Sequence, residues 1–138
     1  MPDKILIIED YADNRELFRL MLEQAGYVVR EASNGRDGVD VAVREQPDAM
    51  LIDLSMPGTD GWDVLTELRA DLRTANIPCA AVSAFADGAR GRALAFGFNA
   101  YLTKPFRREE LLQTVEHLLS EKRAKIEQGK GNRQEKVL

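Results

Sequence analysis

A chain of 138 residues, 44% hydrophobic and 30% charged, has the size and make-up of one soluble domain that can bury a core without disulfides. Nineteen basic against 23 acidic residues leave a net charge of −4, which disfavours nonspecific binding to nucleic acid or an anionic membrane. Cys79 is the one cysteine, and neither an N-terminal targeting pattern nor an apolar run of membrane length is present, so a reducing, cytoplasmic setting is expected.

Lys4–Ile8 is a β-branched apolar run, predicted as a central strand β1, and it runs straight into Glu9 and Asp10. Over residues 13–25, Leu17, Leu20, Met21 and Leu22 recur at helical spacing (α1), and Gly26 supplies the stop. Ala12, Asp13 and Asn14 all lie near the start of that helix. Residues 27–32 turn polar along their length, as suits an edge strand, β2. Asn34-Gly35 breaks it, and α2 follows to about residue 46 with Val39, Ala42 and Val43 inward. Ala49–Asp53 is a short apolar run between turn residues, read as a strand β3 buried on both faces and ending in a carboxylate.

Beyond the loop of residues 57–61, α3 is predicted over 62–72, with Val64, Leu65, Leu68 and Leu72 buried. Cys79–Ser83 is β4, in which Cys79 reads as a small buried hydrophobe. The next helix, α4 over 87–96, contains Gly88 and Gly91, and each interior glycine costs about 0.8–1.0 kcal/mol relative to alanine. Ala100–Thr103 is β5, ending at Lys104-Pro105. Leu111, Leu112, Val115, Leu118 and Leu119 form one stripe of α5, which starts near Arg107 and persists to Ile126. From Gln128 the apolar periodicity is gone, and a disordered tail is expected. The predicted boundaries are therefore a domain over 1–122 and a charged tail or linker stub over 123–138.

Five strands alternating with five helices predict an α/β fold with a parallel sheet and right-handed crossovers. The order 2-1-3-4-5, that of a flavodoxin-like (βα)5 three-layer sandwich, is taken over as a known doubly wound pattern. It would bring the C-terminal ends of β1 and β3 together at the switch point. Glu9, Asp10 and Asp53 would then meet there, with Ser83 from β4 and Lys104 from β5 alongside. Two like charges at ~4 Å repel by about 1 kcal/mol in water and about 4 kcal/mol at an effective dielectric of 20. A divalent cation removes the conflict, and hard oxygen ligands without His or Cys favour Mg2+ completed by a phosphate oxygen. A strand-end acid cluster, a helix-capping Ser83 and a surface Lys104 are the plainer alternatives.

Ile-Ile-Glu-Asp (7–10), Leu-Ile-Asp-Leu-Ser-Met-Pro-Gly-Thr-Asp-Gly (51–61), Val-Ser-Ala (82–84) and Tyr-Leu-Thr-Lys-Pro-Phe (101–106) stand in order over residues 4–120. This set resembles the receiver domain of bacterial two-component response regulators. The resemblance implies that Asp53 is the phosphoacceptor and that Glu9, Asp10, Asp53 and the Ser55 carbonyl hold Mg2+. It further implies that Ser83 and Lys104 serve phosphoryl transfer, that Ser83 and Tyr101 form the switch, and that the Lys104–Pro105 bond is cis. The implied donor is a phosphohistidine on a sensor histidine kinase or histidine phosphotransfer protein. The output would be binding of a downstream protein target through the β4-α4-β5-α5 face, with no direct contact to nucleic acid or membrane.

A phosphoacceptor of this kind is not expected to turn over a separate substrate. An aspartyl-phosphate phosphatase commonly has a second Asp two residues after the nucleophile, where this chain has Ser55; a flavin-binding domain would want a hydroxyl- and glycine-rich loop after β1. Residues 85–100 are expected to respond most to phosphorylation, and Ser55 and Phe85 to flank the path of water to a phosphoaspartate, with apolar Phe85 slowing its loss. Trp62 reads either as a reporter beside the site or as packing, and His117 as a surface residue of α5. Gln113-Thr114 departs from the Ala-Arg common in receivers that dimerise through α4 and α5, so the expected state is a monomer or a phosphorylation-dependent dimer.

Overall fold

The computed structural model of the chain describes residues 1–56, 61–84 and 88–137, the stretch beyond residue 127 by its backbone. Strands and helices alternate as β1 (Lys4–Ile8), α1 (Ala12–Gln24), β2 (Val28–Ala32), α2 (Gly35–Glu45) and β3 (Ala49–Asp53). They continue as α3 (Gly61–Ala70), β4 (Cys79–Ser83), α4 (Ala89–Phe96), β5 (Ala100–Thr103) and α5 (Arg108–Val137). All neighbouring strands are parallel, and their order is β2-β1-β3-β4-β5, the doubly wound order expected.

The apolar runs of β1 and β3 lie in the middle because successive side chains leave opposite faces and both faces must be covered. Ile5 and Ile7, with Leu51 and Val82, pack on Phe18 and Leu22 of α1 and on Leu111, Val115 and Leu118 of α5. Leu6 and Ile8, with Met50, Ile52 and Ala81, cluster on the other face with Ala42 of α2, Val64, Leu65 and Leu68 of α3, and Ala93 of α4. Helices therefore cover the sheet as two layers, α1 with α5 and α2 to α4.

Several local expectations are corrected. Leu72, predicted in the buried face of α3, is 96% exposed. The helix stops at Ala70, and Asp71 Oδ1 accepts from the Arg73 backbone N–H at 2.9 Å, a turn that carries Leu72 outward. In α1 the buried side chains are Phe18 and Leu22, whereas Leu17 and Leu20 face solvent. α5 continues as a helix to Val137, past Ile126 and through the stretch predicted as disordered. Lys, Glu, Gln and Arg there are good helix formers, and a helix already nucleated extends without a buried stripe, though Gly129 and Gly131 each cost it about 0.8–1.0 kcal/mol.

Two glycines have opposite surroundings. A Cβ built on Gly38 would stand 2.3 Å from Ile8 Cδ1 and 2.7 Å from Ile8 Cγ1, so any side chain there would have to displace Ile8. Among the described residues, nothing lies within 4 Å of a Cβ built on Gly91. The loop residues 57–60, Phe85 and the predicted start of α4 at Asp87 lie outside the described residues.

Candidate functional site

Parallel strands all point their C-terminal ends to one edge, and there the polar strand ends converge. Asp53 is the last residue of β3, Ser83 the last of β4, Lys104 follows β5 directly, and Glu9 and Asp10 follow β1. In the β3–β4 register Asp53 stands opposite Val82, one residue before Ser83. Lys104 is brought in by its backbone N–H, which donates to the Ser83 carbonyl at 2.8 Å, and the Lys104–Pro105 bond is cis. Ligand oxygens of Glu9, Asp10 and Asp53 lie within 4.8 Å of one another.

Glu9 and Asp53 are buried, while Asp10 is open to solvent. The Lys104 ammonium bridges the two buried acids, 2.9 Å from Glu9 Oε1 and 3.2 Å from Asp53 Oδ2. The other Asp53 oxygen, Oδ1, accepts from the Ser55 backbone N–H at 2.9 Å and from the Ser55 hydroxyl at 2.8 Å. Glu9 Oε2 is buried with no hydrogen-bond partner among the described residues.

The electrostatics follow from burial and charge crowding. Burial, with Asp53 alongside, pushes the Glu9 carboxyl up to about 7, against the partial relief that Lys104 and Asn14 provide. Burial also pushes Asp53 up. The neighbouring Glu9 carboxyl, the two hydrogen bonds from Ser55 and the charge of Lys104 outweigh it and hold Asp53 below the usual carboxylate value. Burial lowers Lys104, yet its bond to Glu9 and the charge of Asp53 raise it on balance, so the ammonium stays charged. An all-oxygen donor set with one buried, unpartnered carboxylate oxygen fits a hard divalent cation such as Mg2+.

The remaining sequence candidates separate. Tyr101 is buried within the α2–α4 side of the core, and Ser83 is wholly buried. Trp62 packs edge-on against Phe96 and Phe98, at ring-centroid distances of 5.0 and 5.6 Å. His117 is exposed on α5 and pairs with Glu121 at 2.9 Å, away from the acidic cluster.

Two residues of the first turn of α1 belong to the site: Asn14, which the sequence offers only as a residue near the helix start, and Arg15, which it does not single out. Asn14 Nδ2 donates to Glu9 Oε1 at 2.8 Å. Arg15 donates from one guanidinium nitrogen to the Glu9 and Asp10 carbonyls, at 2.9 and 3.0 Å. Only the turn between β1 and α1, which folds the helix start back over the strand end, reveals them.

Comparison with known proteins agrees with this geometry. The model of the response regulator receiver domain matches residues 5–116. RpaA of Synechocystis, a DNA-binding dual master transcriptional regulator, is 43% identical over 122 residues. That match takes in 86% of this chain and 49% of RpaA, so the chain spans about half the length of that relative. The polar-differentiation response regulator DivK of Brucella anthropi is 34% identical over 122 residues, 88% of this chain and 99% of DivK. Among solved structures, the receiver domain of the Pseudomonas aeruginosa sensor histidine kinase PA1611, with a magnesium ion coordinated in its active site cleft, superposes with a TM-score of 0.79. It is 34% identical, covering 87% of this chain and 99% of that one. Fold, acidic cluster and matched span agree, and the chain belongs to the response regulator receiver domain family.

Proposed function

We propose that residues 1–122 form a phosphorylation-controlled binding module in which Asp53 accepts a phosphoryl group from a phosphohistidine of a sensor kinase or phosphotransfer protein, with residues 123–138 as a tail or linker. The arrangement that carries this reading is Lys104, which bridges the Asp53 and Glu9 carboxylates at 3.2 and 2.9 Å beside the orphaned Glu9 Oε2.

An Asp53 carboxylate oxygen attacks phosphorus, the P–N bond to the donor imidazole breaks, and its electron pair returns to the ring nitrogen. Lys104 neutralises charge on the transferring group, and the Ser83 hydroxyl, at the adjacent strand end, offers it a hydrogen bond. Glu9, Asp10, Asp53 and the Ser55 carbonyl would hold Mg2+, which when bound supplies positive charge to the phosphoryl oxygens. Phosphorylation then biases Ser83 and Tyr101, and through them the β4-α4-β5-α5 face, toward or away from a protein partner in the cytoplasm, as a monomer or as a phosphorylation-dependent dimer.

The test is incubation with acetyl phosphate and Mg2+, followed by intact mass spectrometry. One hydroxylamine-labile phosphoryl group is expected on the wild-type chain and none on Asp53→Asn. Equal labelling of both chains refutes the assignment, and steady release of phosphate from many esters shows a phosphatase instead.

A further inference from the structure

Glu9 follows β1 directly and is only 1% exposed, so its two carboxylate oxygens meet protein groups or a cation rather than bulk water. They are treated unequally. Oε1 accepts from Asn14 Nδ2 at 2.8 Å and from Lys104 Nζ at 2.9 Å, whereas Oε2 is buried with no partner. A glutamate side chain can turn about several single bonds, and nothing in its own structure preserves that division. Lys104 cannot fix it alone, because its ammonium sits on a flexible stem and is shared with Asp53. Asn14 is held on the first turn of α1 and presents an amide donor that adds no charge to a crowded anionic site. Arg15, next in the chain, holds the Glu9 and Asp10 carbonyls from the same side.

We infer that Asn14 is a positioning residue for the cation site: its amide keeps Glu9 Oε1 on the Lys104 side and so leaves Oε2 as the oxygen offered to the metal. The inference rests on the metal-site reading above and assigns Asn14 no direct contact with the ion. Outer-shell partners of this kind orient a ligand, and their loss typically lowers metal affinity by about 10–100-fold.

The test is calorimetric titration of Mg2+ alone into the wild-type chain, Asn14→Leu and Asn14→Gln, with urea unfolding of each in chelator. Asn14→Leu keeps the branch point and the number of side-chain heavy atoms and removes the donor. Its Mg2+ affinity should fall by about tenfold or more, while a cooperative urea transition in chelator shows that the chain still folds. Asn14→Gln keeps an amide donor and should recover most of the affinity. Equal affinity in the three chains, or Gln weaker than Leu, overturns the inference; a wild-type chain that takes up no Mg2+ overturns the metal site and the inference with it. If Asn14→Leu fails to fold, Asn14→Ser, whose hydroxyl is too short to reach Oε1, replaces it with the same expectation.

Discussion

Replacing Gly38 by alanine puts helix propensity and core packing in direct opposition. Alanine is favoured over glycine in a helix interior by about 0.8–1.0 kcal/mol. At Gly38, however, the new methyl would stand 2.3 Å from Ile8 Cδ1 and 2.7 Å from Ile8 Cγ1, against the ~3.5–4.0 Å at which carbon atoms rest. Turning Cδ1 away would relieve only the first contact. The second needs a change of χ1, which is stiff in a β-branched residue, and Ile8 is wholly buried in a central strand between β2 and β3. Overpacking of this kind costs roughly 1–3 kcal/mol. With the propensity gain subtracted, Gly38→Ala should destabilise by about 0–2 kcal/mol. Gly91→Ala, with open space around the new methyl, should stabilise by up to about 1 kcal/mol. Urea unfolding monitored by circular dichroism measures both. Ile8→Val removes Cδ1, so it should cost less in the Gly38→Ala background than in the wild type, a coupling that a double-mutant cycle isolates. If Gly38→Ala stabilises as much as Gly91→Ala, the close approach of α2 to β1 is refuted. Because Ile8 immediately precedes Glu9, Gly38→Ala should also weaken Mg2+ binding.

Three further outcomes are expected. Asp48 is partly buried, which pushes its carboxyl up, but the Lys122 ammonium and the Lys4 backbone N–H, 2.7 Å away, hold it below the ordinary 3.8. Its folded value thus lies under the unfolded one, so its stabilisation is complete at neutral pH and disappears as pH falls through the folded value. Asp48→Asn should cost about 1.5 kcal/mol at pH 7, the low end for a charged hydrogen bond because Lys122 is about a third exposed. That gap should narrow as pH falls below 3.8, and a gap unchanged by acid in parallel urea titrations would refute it. Lys104 competes with a cation for Glu9 and Asp53. Charges of +1 and +2 about 5 Å apart repel by about 1.7 kcal/mol in water, so Lys104→Met should tighten Mg2+ binding about tenfold at mildly alkaline pH while slowing labelling of Asp53. Weaker Mg2+ binding by calorimetry would contradict that sign. On phosphorylation, amide hydrogen exchange should change more over residues 88–103 than over α2, because Gly88 opens α4 at φ 71 without a side-chain cap and Gly91 lies inside it; equal change in both regions would refute it.

The apolar runs Ile5–Ile8 and Ala49–Ile52 and the stripe from Leu111 to Leu119 set the strand and helix types by themselves, because periodicity and run length act locally. Polar residues at the ends of those strands, Glu9, Asp10, Asp53, Ser83 and Lys104, are likewise visible along the chain. Their convergence is a property of parallel packing in the order β2-β1-β3-β4-β5, which places every strand's C-terminal end at one edge. Tertiary structure alone decided which residues of α1 face inward, since Leu17 and Leu20 lost to Phe18 once the helix began at Ala12. It also decided that Leu72 swings out where the helix stops and that Gly38 must lack a side chain over Ile8. The division of Glu9 into one oxygen held by Asn14 and Lys104 and one left bare is of the same kind. A contact between residues 9 and 104 has no local signature, and only the folded sheet brings the ammonium within hydrogen-bond reach of the buried acid.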